Sequence, residues 1–157
     1  MLIGILSDSH DNLPQLEKAV YLFNGKKVQF VLHAGDFVAP FTIPKLKALA
    51  CDFKGIFGNN DGEKQGLERA SQGRITEGPL RFDINGIKIT LVHDLKAIEL
   101  EKETAQLVVF GHTHKPQILK DNNRIIINPG ECGGWLYGKS TVAIADLSLM
   151  TTEIFEI

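Results

Sequence analysis

Short apolar runs alternate with helix-period stretches through the first two thirds of the chain. Residues 2–6 form an unbroken apolar run that stops at Ser7-Asp8, which predicts a buried strand. Asn12 then stands as an N-cap and Pro14 suits the first turn of a helix. Leu13, Leu16, Val20 and Phe23 recur at helical spacing until Asn24-Gly25 supplies a stop. Residues 28–32 predict the next strand, 40–49 the next helix, 53–57 a third strand and 63–70 a weaker, polar helix. The order β-α-β-α-β implies a parallel sheet joined by crossover helices.

The character then changes. Residues 80–84 and 87–92 flank Asn85-Gly86, a type I′ hairpin signal. Residues 98–103 predict a short helix and 107–110 a strand. Two more strands, 118–120 and 125–127, flank a turn at Asp121-Asn122-Asn123, and 141–145 and 153–157 complete the tail. The expectation is a second, largely antiparallel sheet packed on the first, with helices outside. No repeat, low-complexity tract or linker divides the chain, so residues 1–157 are expected to form one domain.

Composition narrows the class without naming a function. A chain of 157 residues is long enough to bury a core without staples. With 43% hydrophobic and 23% charged residues, it is not collagen-like, disordered or a disulfide scaffold. A net charge of −2 gives no basic footprint for strong nucleic-acid binding. Cys51 and Cys132 sit in no CxxC spacing and read as reduced thiols of a cytoplasmic protein. The apolar start lacks a basic n-region, and no run approaches membrane-spanning length.

The polar residues at the ends of the apolar runs are more telling. Asp8-Ser9-His10 follows the first run, Gly35-Asp36 the second and Gly58-Asn59-Asn60-Asp61 the third. His93 caps residues 87–92, and Gly111-His112-Thr113-His114 caps residues 107–110. In open α/β sheets ligands bind at the carboxyl ends of strands, so these turns are expected to face one crevice. Each fragment alone is a common capped turn; the ordered set is far more specific. Mixed imidazole and carboxylate donors suit Mn²⁺, Ni²⁺, Fe or Zn²⁺ better than Ca²⁺ or solvated Mg²⁺. Asp8, His10, Asp36, Asn59, His93, His112 and His114 are too many for one ion with an open position. They suit two ions roughly 3.5–4 Å apart that share a carboxylate.

The series D-x-H, GD, GN-x-D, H, GH-x-H resembles the calcineurin-like metallophosphoesterases, from Asp8 to Gly130. The short chain and the Asn128-Pro129-Gly130 turn look like that family's small, single-domain phosphodiesterase branch. The resemblance implies an α/β fold, a four-layer αββα sandwich of two packed mixed sheets with flanking helices and a binuclear site at one edge. By matching motif, Asp8, His10, Asp36 and His114 would hold one metal. Asp36, Asn59, His93 and His112 would hold the second, with Asp36 bridging. The implied cofactors are two divalent ions, Mn²⁺ or Ni²⁺ favoured and Fe or Zn²⁺ compatible. The implied reaction is hydrolysis of a small phosphodiester by in-line attack of a metal-bound hydroxide, with Asn59 touching the phosphate.

Asn59, Asn60 and Asp61 form the catalytic turn implied by the resemblance, and here the sequence departs from the family. Asn60 stands where a histidine usually approaches the leaving group, and it cannot act as a general acid near neutral pH. Asp94 replaces the glycine that often follows the fourth-motif histidine. Asp61 reads either as the orienter of a ligand-bearing loop or as a plain turn carboxylate before Gly62. His33 reads as a hydrogen-bond partner behind a ligand or as a satisfied core histidine. Phe37, Phe41 and Phe57 read as packing rather than a base-stacking platform, and Lys26-Lys27 as a solvated pair. Trp135 and Tyr137, in a Gly-rich stretch, read either as a lining of the cleft or as a plain loop. Cys132 has no local base that would make it a nucleophile. The rival functions are a non-catalytic protein-interaction scaffold on the same fold, a phosphomonoesterase or a nuclease; self-association is left open.

Overall fold

The first apolar run becomes β1 (Leu2–Leu6), and its alternation sorts the side chains between two neighbouring layers. A computed structural model describes residues 1–121 and 123–157. After β1 comes α1 (Leu13–Gly25), whose N-cap Asn12 accepts from the Gln15 N–H at 3.4 Å. β2 (Phe30–His33) leads through a 3-10 turn (Pro40–Thr42) into α2 (Ile43–Leu46). The helix expected over 40–49 is broken because Pro44 has no N–H for the Pro40 carbonyl, which instead accepts from Ile43. Then follow β3 (Phe53–Ile56), α3 (Lys64–Ser71) and the two-residue β4 (Ile75–Thr76), which no apolar run announced.

The second half begins with the hairpin β5 (Leu80–Ile84) and β6 (Ile87–Leu91). Asn85 (φ 53°) and Gly86 (φ 83°) take the left-handed conformations that a type I′ turn requires. Two 3-10 turns follow, Leu95–Ala97 and Leu100–Lys102, and the second stands where a short helix was expected over 98–103. β7 (Leu107–Val109), β8 (Gln117–Asp121), β9 (Arg124–Asn128), β10 (Thr141–Asp146) and β11 (Thr151–Glu156) complete the chain. The turn expected at Asp121-Asn122-Asn123 lies partly outside the described residues, at Asn122.

Among the described residues the strands form two mixed sheets, ordered β11-β10-β1-β2-β3-β4 and β5-β6-β7-β9-β8. Two expectations are corrected here. β10 and β11 join the first sheet, with β10 antiparallel to β1 in the register Ile3↔Ala145. The second sheet is evenly mixed rather than largely antiparallel: β6–β7 and β7–β9 pair in parallel, β5–β6 and β8–β9 antiparallel. Local alternation specifies a strand and its faces but not its partner.

Ile3, Ile5, Leu32 and Ile56 of the first sheet meet Ile89, Leu91, Val109 and Ile127 of the second in the central core. α1, α2 and α3 cover the outer face of the first sheet through Leu16, Val20, Phe23, Ile43, Leu46 and Leu67. Leu95, Ile98 and Leu100 cover Val108, Phe110 and Ile126 on the outer face of the second, so that layer is a thin one of 3-10 turns. Because β1, β2 and β3 run parallel, their carboxyl ends share one edge. The turn after β7 meets that edge, as the Gly111 contact below shows. No helix among the described residues is long and apolar enough to cross a membrane.

Candidate metal centre

The turns after β1, β2 and β3 are laced together by backbone before any side chain acts. Asp8 donates its N–H to the Gly35 carbonyl at 2.9 Å, and His10 donates to that of Asp36 at 3.1 Å. Asp61 locks the third turn on: its carboxylate accepts from the backbone N–H of Gly58 (2.7 Å), Asp36 (3.0 Å) and Val38 (2.7 Å). Asp61 thus ties the turn that carries Asn59 to the turn that carries Asp36, and burial pushes its carboxyl up from the ordinary value.

These turns are strained in a shared way. Asp8, His10, Asp36, His112 and His114 all adopt positive φ, between 42° and 65°, which non-glycine residues seldom do. Such strain persists only where surroundings over-determine it, and it clusters at functional sites. Two glycines make the approach close enough. A Cβ on Gly58 would lie 2.2 Å from Asp36 Oδ1, and one on Gly111 would lie 1.9 Å from Ser7 Oγ and 2.8 Å from Asp8 Oδ2.

The result is two groups of donors joined at Asp36. Asp8, His10, Asp36 and His114 present ligand atoms that all lie within 4.8 Å of one another. His10 Nε2 is 3.4 Å from His114 Nε2 and 3.6 Å from Asp36 Oδ2, and His114 Nε2 is 3.5 Å from Asp8 Oδ1. On the other side, Asp36 Oδ2 is 3.4 Å from His93 Nε2. Asn59 Oδ1 lies 2.9 Å from His93 Nε2 and 2.8 Å from His112 Nδ1. The structure thus brings together all seven residues that the strand-end pattern singled out. Beside Asn59, His93 and His112 a groove of about 310 Å³ opens, walled by Phe57, Lys64 and Asp94.

The donor set fits divalent cations. Asp8 and Asp36 are buried carboxylates in one cluster, an arrangement that is costly without a counter-charge. His93 donates Nδ1–H to the Ala34 carbonyl at 2.8 Å. A neutral His93 then turns a bare Nε2 toward Asn59 Oδ1 and Asp36 Oδ2. Three facing acceptors are stable only around a proton or a metal ion. Burial alone would depress His93, but the hydrogen bond and charge of Asp36 outweigh it and raise the imidazole above its usual value. Burial likewise raises Asp8. It also pushes Asp36 up, yet hydrogen bonds from His93 and Asn60 prevail and hold that carboxyl well below the usual range.

The remaining residues find definite places. Asn60 donates its backbone N–H to Asp36 Oδ1 and its side-chain NH₂ to Asp36 Oδ2, both at 2.8 Å. Asp94 is accommodated without glycine, because its Oδ1 caps the following 3-10 turn at Lys96 N–H (3.0 Å). Its Oδ2 stands 4.0 Å from His112 Nε2. His33 is a satisfied core histidine that orders the ligand turns: Gly35 donates to its Nδ1 at 3.2 Å, so Nε2–H donates to Ser9 Oγ at 3.0 Å. Fully buried and stacked on Phe37, its pKa is pushed down to about 3. Burial pushes the Cys132 thiol up to about 12, which leaves it inert.

Sequence reasoning did not single out Glu131. This carboxylate is 1% exposed and stands behind His114, with Oε1 3.3 Å from Nδ1 but off the line of a hydrogen bond. It also accepts from Trp135 N–H at 2.8 Å and Leu136 N–H at 3.0 Å. The available signal was an acid inside the glycine-rich stretch Gly130-Glu131-Cys132-Gly133.

Residues 1–150 match the profile of the calcineurin-like phosphoesterase superfamily domain. The chain belongs to that superfamily. Over 154 residues it is 36% identical to the phosphodiesterase MJ0936 of Methanocaldococcus jannaschii, covering 93% of each chain. It is 31% identical to a probable metallophosphoesterase of Methanothermobacter thermautotrophicus, covering 83% of this chain and 76% of that one. A solved archaeal phosphodiesterase superposes with a TM-score of 0.93 at 32% identity over the whole of both chains. Vps29 of Entamoeba histolytica, solved with Zn²⁺, shares the fold at a TM-score of 0.75 and 22% identity, over 99% of this chain and 91% of that one. As a calcineurin-like phosphoesterase with this donor cluster, the protein is a metal-dependent phosphoric ester hydrolase.

Proposed function

We propose that this phosphoesterase is a phosphodiesterase that works with two divalent ions sharing Asp36, in the cytoplasm. The observation that carries this reading is the position of Asp36 Oδ2, 3.6 Å from His10 Nε2 and 3.4 Å from His93 Nε2, between two donor groups. Asp8, His10, Asp36 and His114 would hold one ion, and Asp36, Asn59, His93 and His112 the other. Their imidazole, carboxylate and amide donors favour Mn²⁺ or Ni²⁺, with Fe or Zn²⁺ compatible. When bound, such ions neutralise phosphoryl charge and make a water acidic enough to serve as the nucleophile near neutral pH.

The chain's own residues do the rest. Asn59 turns its carboxamide oxygen to His93 and His112, which leaves its NH₂ to donate to a phosphoryl oxygen. Asn60 and Asp61 fix Asp36 and the three turns in place. Of the four arginines, Arg74, Arg81 and Arg124 bond elsewhere, to Asp52, Glu103 and the backbone of Leu100 and Glu103. Arg69, on α3, is not among the residues that wall the groove beside the cluster. A site without a guanidinium clamp suits the singly charged diester better than a monoester dianion. The similarity to MJ0936, named a phosphodiesterase, points the same way. The complete donor set favours catalysis over a scaffold role, and the net charge of −2 speaks against a nuclease.

Metal-free protein reconstituted in turn with Mn²⁺, Ni²⁺, Fe²⁺ and Zn²⁺ tests this on bis(p-nitrophenyl) phosphate and p-nitrophenyl phosphate. The diester is expected to be hydrolysed faster, with no turnover after chelation. Equal or faster monoester turnover overturns the diester assignment.

A further inference from the structure

The segment after Glu131 presents Trp135, Leu136 and Tyr137 to solvent, 64%, 65% and 54% exposed. Three large apolar side chains in a row are unusual on a surface, and here they are held firmly against the donor cluster. The Trp135 indole N–H donates to the His10 carbonyl at 3.1 Å, and its own backbone N–H donates to Glu131. Gly133 donates its N–H to the Asp8 carbonyl at 2.9 Å, and Asn12 donates to the Gly133 carbonyl at 2.7 Å. The loop is therefore bonded on both sides of the turn that carries Asp8 and His10. Opposite it, Lys115, the residue after His114, lays its ammonium 5.8 Å from the centroid of the Tyr137 ring. Lys115 pairs with no carboxylate among the described residues.

We propose that Trp135, Tyr137 and Lys115 form a binding subsite for the aromatic base of a small nucleoside phosphodiester. This rests on the diesterase reading and names its substrate class. Rigid aromatic faces stack on any nucleobase, and an unpaired ammonium beside them suits the anionic phosphoryl oxygens of the diester that the base-bearing sugar carries. The indole is fixed at its N–H edge by His10, so its face is presented at little entropic cost. The other candidate occupant, a second copy of the chain on the Trp135-Leu136-Tyr137 patch, leaves Lys115 unexplained.

Trp135 is the sole tryptophan, so its fluorescence reports this subsite directly. The probes are adenosine 5′-monophosphate, the product of such a diester, and ribose 5-phosphate, which lacks the base. With metal-loaded enzyme, the nucleotide is expected to quench Trp135 saturably while ribose 5-phosphate does not. As inhibitors of bis(p-nitrophenyl) phosphate hydrolysis, the nucleotide should be tighter by roughly 5- to 100-fold, the range of one base–aromatic stack. Trp135→Ala and, separately, Tyr137→Ala should collapse that ratio toward one while metal content is retained. Equal inhibition by both probes in the native enzyme, or an unchanged ratio in both variants, overturns the subsite and leaves the diesterase standing. A fall in oligomer mass in Trp135→Ala, with no quenching by nucleotide in the native protein, assigns the patch to self-association instead. If no diester is hydrolysed, the functional reading fails, and the quenching titration still decides the subsite.

Discussion

Asp36 receives two hydrogen bonds from Asn60 and stands beside two imidazoles, yet its own backbone is held by a different acid, Asp61. Removing the Asn60 side chain leaves Asp36 charged but less firmly aimed. Asn60→Ala should weaken metal affinity by about 10- to 100-fold, the usual effect of losing a group that orients a ligand. Metal titration of the apo variant checks this, and wild-type affinity would contradict it. With no histidine at position 60, the rate should also depend steeply on leaving-group pKa, and Asn60→His should flatten that slope. His33 gives a pH dependence of known sign. It stays neutral in the fold down to about 3, whereas an unfolded histidine protonates near 6.5. Stability from His33 is therefore complete above about pH 6.5 and declines as pH falls toward 3, by at most ~1.4 kcal/mol per pH unit. Metal-free His33→Gln should lose that part of the slope between about pH 4 and 6. Equal slopes would mean that the imidazole protonates inside the fold. At this scale the meeting of the seven strand-end residues was legible because each sits just past a strand. Glu131 was not, since only the fold places it behind His114.

The turns are the functional elements, and their glycines have unequal work. Gly58 has Asp36 Oδ1 2.2 Å from where a Cβ would sit, whereas Gly62, in the following loop, has nothing within 4 Å. Gly58→Ala should therefore abolish tight metal binding and lower the melting temperature, and Gly62→Ala should leave metal binding intact. Calorimetry and metal titration on the pair separate the outcomes; a tolerated Gly58→Ala would show that the Asp36 turn can relax. Strands and the type I′ hairpin were legible because alternation and Asn85-Gly86 encode them locally. The two-residue β4 and the broken helix at Pro44 were not, since each depends on a neighbour or on one missing N–H.

Across the whole molecule, the sheet edge where β1, β2 and β3 end gathers side chains that are up to 106 positions apart in sequence, Asp8 and His114 among them. The order of the sheets, with β10 and β11 returning to β1, was not legible because strand partners are a long-range choice. Ions that bind only the folded chain tie its stability to this edge. At about 1,000 times Kd one site contributes ~4.1 kcal/mol, so chelation should lower the melting temperature by roughly 10 °C in a chain of this size. An unchanged melting temperature would mean that no ion is held tightly. Ions bound per chain and diester hydrolysis, followed together while metal-free protein is titrated with Mn²⁺, test the shared Asp36 most directly. The wild type is expected to take two ions, with activity appearing as the second binds, and Asp36→Asn to lose both occupancy and rate. One ion per chain at full activity, or an Asp36→Asn variant with two ions and an undiminished rate, would contradict a centre built around Asp36.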